Sequence, residues 1–252
     1  MDVSFVIPCN NEEKQLPNCL DSILEQTIKP MQVIVVLNGC TDNSEIVAKQ
    51  FQGRFVSNNI EFDIINSKKG KINARALGFS KARGHVIGSI DADSVLIPQW
   101  VQHVLDAFEQ DNNIVGISGK SVYRNKSPSI LLLNLFNSFS SIFSKKVPLK
   151  GNNCAIRNLN LNWYEGYENM KEFLETNGCM LESHNDDFFL MHRLKKHGEI
   201  LYHKDAKASL YMKDNNNNHI NMLRLYQRWQ NRKVNGKMIS QFFMKHNELI
   251  VD

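Results

Sequence analysis

The chain has 252 residues, 42% of them hydrophobic and 22% charged, which suits one large α/β domain or two small ones and excludes disorder, collagen-like repeats and a disulfide miniprotein. Thirty Lys and Arg against 26 Asp and Glu leave a formal charge of +4, too small at this length to make nucleic acid the natural partner. Five scattered cysteines (Cys9, Cys19, Cys40, Cys154, Cys179) with no CxxC pair point to free thiols in a reducing compartment, not to a disulfide framework or a zinc knuckle.

Apolar runs at 3–7 and 33–37 suit strands of a buried parallel sheet, and between them Leu16, Cys19, Leu20, Ile23 and Leu24 recur at helical spacing. Asp42 with Glu45 three residues on predicts a capping-box start for a helix through Phe51. A third strand is expected at 62–65, a helix from about Lys71 to Gly84, and a fourth strand at 86–90. Pro98 then opens a helix with Val101, Val104, Leu105 and Phe108 on one face. Strand and helix alternate over the first 118 residues, which implies right-handed βαβ units. Beyond Ser118 the alternation fails, and 119–252 reads as the half with a different role in the same domain.

The start of the chain has no basic segment, apolar core and cleavage site in succession, so a cytoplasmic setting is expected. The apolar stretch 130–143 is broken by Asn134, Asn137 and serines and falls short of the roughly 20 residues that span a bilayer. Its near-helical spacing, trailed by Lys145 and Lys146, fits either core packing or an interfacial helix in peripheral contact with a membrane. Arg224, Arg228 and Arg232 would form a stripe on a C-terminal helix, with Met222, Leu225 and Trp229 opposite.

Ligands of doubly wound sheets bind beyond the carboxyl ends of the strands, which singles out 8–13, 38–44 and 91–94. Asp91 and Asp93 flank Ala92 where the fourth strand ends, and in extended backbone both carboxylates point to one side. Paired hard oxygen donors suit Mg²⁺ or Mn²⁺ shared with phosphate oxygens.

VSFVIPCNNEE, VIVVLNGCTDNS, KGKINARALGFSKARGHVIGSIDADS, GNNCAIRN and HNDDFFLMHRL, in this order and at these separations, resemble the inverting family 2 glycosyltransferases of GT-A fold, over residues 3 to about 200. The resemblance implies a Rossmann-like, mostly parallel central sheet and a more irregular acceptor half. It also implies a nucleotide-sugar donor, usually a UDP-sugar, with its pyrophosphate on Mn²⁺ or Mg²⁺ held by Asp93 and Asp91. Carried over by position, Pro8, Asn10 and Glu12 line the nucleoside pocket, Asp91, Ala92 and Asp93 meet the donor, and Lys71 contacts nucleotide or phosphate. Asn38 stands where the family usually has a base-contacting Asp; an amide can donate as well as accept. Asp187 falls on the catalytic base and Asp186 on its acidic neighbour. Asn152 and Asn153 fall on the segment bordering acceptor and donor sugar, although a Gly-Asn turn entering a strand explains them equally. Arg228 and Trp229 faintly resemble the QxxRW string of processive members. His203 and His219 are only weak substitutes for a metal-binding His that many members carry.

The resemblance thus implies inverting transfer of a sugar to the hydroxyl of a glycan or lipid-linked glycan acceptor and, by family habit alone, a place in assembly of a surface polysaccharide or glycolipid. Two alternatives are a polyprenyl-phosphate glycosyl transferase, which needs no base, and a nucleotide-sugar-binding module without catalysis.

Overall fold

The computed structural model describes residues 1–124, 149, 151–163 and 185–210. Within them, eight strands form one sheet: β1 (Val3–Cys9), β2 (Gln32–Leu37), β3 (Glu61–Asn66), β4 (Val86–Ile90), β5 (Ser94–Leu96), β6 (Ile114–Tyr123), β7 (Asn153–Arg157) and β8 (Glu199–Leu210). The helices are α1 (Leu16–Leu24), α2 (Ser44–Ser57), α3 (Lys71–Lys81), α4 (Trp100–Gln110) and α5 (Asn185–Leu194). The strand order is β3-β2-β1-β4-β7-β6-β8-β5, with β5 and β7 running against the rest, so the sheet is mixed but mostly parallel, as expected.

Apolar residues run continuously through β1 and β2 because both faces of the sheet are covered. Phe5, Ile7, Val33 and Val35 pack with Leu20, Phe55, Trp100 and Phe108 on one side, while Val6, Ile34, Val36 and Ile87 pack with Phe79, Ile156 and Trp163 on the other. Helix α3 sits so close to the sheet that a Cβ on Gly78 would lie 2.2 Å from Val6 Cγ1.

Two local expectations change. Helix α2 starts at Ser44, and Asp42 does not form the expected box with Glu45. Its carboxylate accepts from the Ser44 N–H and Oγ–H and from the Glu13 N–H, while Glu45 pairs with Lys49 one turn on. The chain also does not stay extended through Asp91–Asp93: a turn closes with the Ser94 N–H on the Asp91 carbonyl at 3.0 Å and launches β5. Position 118 lies inside β6, which continues to Tyr123.

Strand β7, inserted antiparallel between β4 and β6, is fixed by one side chain. Asn153 is fully buried; its Oδ1 accepts from Trp100 Nε1 at 2.8 Å, and its Nδ2 donates to the carbonyls of Lys120 (3.0 Å) and Ala206 (3.1 Å). Those carbonyls lie where the β6–β8 register slips between Gly119 and Lys120, and the amide satisfies groups that the irregular ladder leaves unpaired. Of the two readings open for Asn153, the residue that enters a strand is the one its surroundings fit: its hydrogen bonds are spent in the core, not at an acceptor. Replacing it with Ala strands three buried polar groups, and N153A is expected to lose about 3 kcal/mol in urea unfolding. A loss below about 1 kcal/mol would show that the pin is dispensable.

Candidate active site

The register aligns the ends of the first strands: Cys9 lies opposite Leu37, Leu37 opposite Asn66, and Val6 opposite Ser89 on the other flank of β1. The loops after β1, β2, β3 and β4 therefore meet at one edge. Because β2 and β4 lie on opposite sides of β1, the crevice beside β1 is where such a sheet takes a ligand.

The first two loops are laced together. Asn10 Nδ2 donates to the Asn38 carbonyl at 2.6 Å, Asn11 Oδ1 accepts from the Thr41 N–H, and Glu13 Oε2 accepts from Asn43 N–H and Nδ2. The Glu12 N–H donates to Ser44 Oγ at 2.9 Å. Asn11 and Gly39 both adopt positive φ (55° and 64°), the conformation that Asn and Gly tolerate best, and this is how both turns stay tight. Asn38, nearly buried, accepts the Gly70 N–H on its Oδ1 at 2.7 Å and so ties the β2 loop to the start of α3. That contact fixes which end of the amide is oxygen.

Lys71 and Arg75, one turn apart on α3, both grip Asp91: Lys71 Nζ reaches Oδ2 at 2.8 Å and Arg75 Nη2 reaches Oδ1 at 3.1 Å. Burial pushes the Asp91 carboxyl up, but the charges of Lys71 and Arg75 outweigh it and hold the group below the ordinary carboxylate range. Arg75 is itself buried and lies on Gly151, where any Cβ would come within 2.1 Å of Nη1. Arg75 was missed in the sequence; its signal is a lone cation on the buried face of α3, four residues after Lys71.

Asp93 has the opposite surroundings. Its Oδ1 is buried with no hydrogen-bond partner, and burial, then the charges of Asp91 and Glu12, raise its pKa to about 7 against the pull of Lys71. An orphaned buried carboxylate oxygen facing another acid is what a divalent cation would satisfy, so Asp93 fits the metal role. Asp91 does not, because both of its oxygens are already on cations. Among the described residues no three His, Cys, Asp or Glu side chains form a ready-made cage.

Ala92 is buried against the core, and Pro8 lies in β1. Asn152 holds Ser94 Oγ on its carbonyl at 3.1 Å, close to the Asp91–Asp93 turn. Lys68 and Lys69 are exposed beside the same edge. Asp186 and Asp187 occupy the first turn of α5. His203 lies away from these loops in its contacts, against His103 with its Nδ1 taken by the Ala206 N–H, which argues against a metal role. Arg228, Trp229, His219 and the stretch 130–143 lie outside the described residues.

The profile described as glycosyl transferase family 2 matches residues 4–156, more than half of the chain and every strand-end loop above. The chain belongs to glycosyl transferase family 2. It is 32% identical over 117 residues to an uncharacterized glycosyltransferase, alr2836, of Nostoc sp., covering 46% of this chain and 35% of that protein. It is also 31% identical over 137 residues to the chondroitin synthase of Pasteurella multocida, covering 54% and 14%. The chain thus spans about a third of the Nostoc relative's length. Among solved structures, the fold matches the mannosyltransferase PcManGT of Pyrobaculum calidifontis in complex with GDP-Man and Mn²⁺ (TM-score 0.60, 17% identity, 96% of this chain and 63% of that one). It also matches S. aureus TarS 1-349 in complex with UDP-GlcNAc (TM-score 0.57, 16% identity, 85% and 59%). At these identities the likeness establishes the GT-A fold of this family 2 member.

Because Asp93 in the folded chain binds its proton more tightly than an ordinary carboxyl of pKa 3.8, the folded state holds a proton that the unfolded state releases. Its contribution to stability is therefore lost as pH rises from about 4 to about 7. With chelator present, D93N is expected to flatten this fall and to melt roughly 2–6 °C above the parent near pH 8. Identical pH profiles for parent and D93N would refute the assigned environment.

Proposed function

We propose that this family 2 member transfers a sugar from a nucleotide-diphosphate donor, a UDP-sugar in the first instance, to a hydroxyl of a glycan or lipid-linked glycan acceptor with inversion at the anomeric carbon. The observation that carries the proposal is the contrast at the end of β4: Asp91 is neutralised by Lys71 and Arg75, while Asp93 next to it keeps a buried oxygen open. Such a pair separates holding the donor from holding a cation. The nucleotide and nucleotide-sugar complexes of fold neighbours support the donor class, and the Mn²⁺ beside GDP-Man in one of them supports the metal.

In this reading Pro8, Asn10, Glu12 and Asn38 border the nucleoside, Asp91 with Ala92 backs the donor, and Lys71 offers positive charge to the diphosphate. Mn²⁺ or Mg²⁺, when bound at Asp93, supplies charge neutralisation for a diphosphate leaving group. Asp187 takes the proton of the attacking hydroxyl and Asp186 flanks it; both sit in the first helical turn of α5, where backbone N–H groups favour and orient a carboxylate. Asn152, whose carbonyl accepts from Ser94 Oγ and whose Oδ1 accepts from Ser121 Oγ, borders the sugar in this reading.

In a screen of nucleotide sugars with product mass spectrometry, D187N is expected to lose about 10²- to 10⁴-fold in transfer while keeping its donor affinity. Full turnover by D187N would remove the base from the mechanism.

Asn38 gives a second test. Its Oδ1 is engaged by Gly70, so the amino group is what it offers to a base. Uracil N3 donates and cytosine N3 accepts. N38D replaces the donor with an acceptor and is expected to raise UDP affinity relative to CDP by roughly 10-fold in calorimetry. An unchanged ratio would take Asn38 out of base recognition.

A further inference from the structure

Two cysteines that the proposed chemistry does not use meet at the laced loops. Cys9 ends β1 between Pro8 and Asn10, and Cys40 follows the Asn38-Gly39 turn after β2. Gly39 at φ 64° folds the chain back, so that Cys40 Sγ lies 3.2 Å from the Cys9 carbonyl, which also accepts the Asn38 N–H at 2.8 Å. The Cys40 thiol thus lies directly against Cys9. Cys9 is fully buried and Cys40 is half-buried, so a reagent from solvent meets Cys40 first. Cys19 is buried with its Sγ on the Asp91 carbonyl, and Cys154 is buried within β7.

We propose that Cys9 and Cys40 form an oxidation site, in which a small disulfide such as oxidised glutathione converts the two thiols into a Cys9–Cys40 disulfide that deforms the crevice. The Cys40 thiolate attacks one sulfur of the reagent, its S–S bond breaks, and one glutathione thiolate leaves. The Cys9 thiolate then attacks Cys40 Sγ of the mixed disulfide and expels the second glutathione. Two protein thiols are oxidised, one reagent disulfide is reduced to two thiols, and the two protons lost by the cysteines end on the glutathiones. Cys40 Sγ already touches Cys9 through its carbonyl, but closing the pair means bringing the two sulfurs to a bond of about 2.05 Å. The turn carrying Cys40 must therefore move toward β1, and that turn also carries the Asn38 and Gly39 carbonyls on which Asn10 is fixed. Burial, then the charge of Cys40, push the Cys9 thiol up to about 12, so the closing step is slow near neutrality and speeds up as the medium becomes alkaline.

The effect on nucleotide binding rests on the donor-binding reading above, whereas formation of the bond does not, so the test reads them separately. The full chain is incubated with oxidised glutathione at mildly alkaline pH, and intact mass and linked peptides are read without reduction. A loss of two hydrogens with a Cys9–Cys40 linked peptide is expected, absent in C40S and in C9S and reversed by dithiothreitol. A mixed disulfide that stays on Cys40, or a linked peptide containing Cys19, Cys154 or Cys179, would overturn the site. UDP affinity measured by calorimetry on the same samples is expected to fall at least 10-fold on oxidation of the parent and to stay unchanged in C40S. A formed bond with unchanged UDP affinity would overturn the claim that it deforms the crevice. Failure of UDP to bind the reduced parent would count against the donor reading and leave the mass result standing.

Discussion

A carboxylate buried at the end of a central strand must be compensated, and the ion triad Asp91–Lys71–Arg75 is the constraint around which this edge of the molecule is arranged. Both cations come from α3, so that helix has to begin at Lys71, within reach of Asp91, while its body lies on β1 and β2. Gly70, at φ 131°, makes the entry, and its N–H is received by Asn38 from the neighbouring strand. The far side of the Arg75 guanidinium needs a residue without a side chain, and Gly151 supplies it immediately before β7. One electrostatic requirement thus links the ends of β2, β3 and β4 to the strand that opens the second half of the sheet.

The same triad explains why two aspartates separated by one residue behave so differently. A strand continuing through Ala92 would have presented both to one environment. The turn that returns the Ser94 N–H to the Asp91 carbonyl gives Asp91 to the cations and leaves Asp93 under the charges of Asp91 and Glu12, opposed by Lys71. The electrostatic asymmetry of this edge comes from that turn, and spacing along the chain does not encode it.

The sequence was most readable where one face or one spacing dominates. The apolar runs of β1, β2 and β4 and the 3.6-residue pattern of α1 and α4 leave little freedom, because both faces of the sheet must be covered. What escaped depended on partners far along the chain. Arg75 reads as an ordinary helical cation until α3 is laid on β1 and β2 and brings it to Asp91. Asn153 reads as a turn residue until the β6–β8 ladder slips and leaves carbonyls for it to hold. Asp42 reads as a capping residue for Glu45's helix, yet the Glu13 N–H, 29 positions away, takes one of its oxygens. Strand β5 is three residues long and has no periodicity to detect. The family resemblance pointed to strand-end loops that the fold does bring to one edge, because those loops are local, while the contacts inside them are tertiary.

The modest net charge of +4 is the sum of opposed local fields. At the crevice Glu12, Asp91 and Asp93 face Lys71 and Arg75, with Lys68 and Lys69 exposed on the rim. Lys71 and Arg75 pair with Asp91, and the charges of Asp91 and then Glu12 bear on Asp93 beside them. Burial and these two acids hold the Asp93 pKa up at about 7, so the group keeps a proton through mildly acid conditions. A proton on Asp93 relieves the repulsion from Asp91 and Glu12, and under the proposed donor reading a divalent cation held there would relieve it in the same way while adding charge of the sign a diphosphate requires.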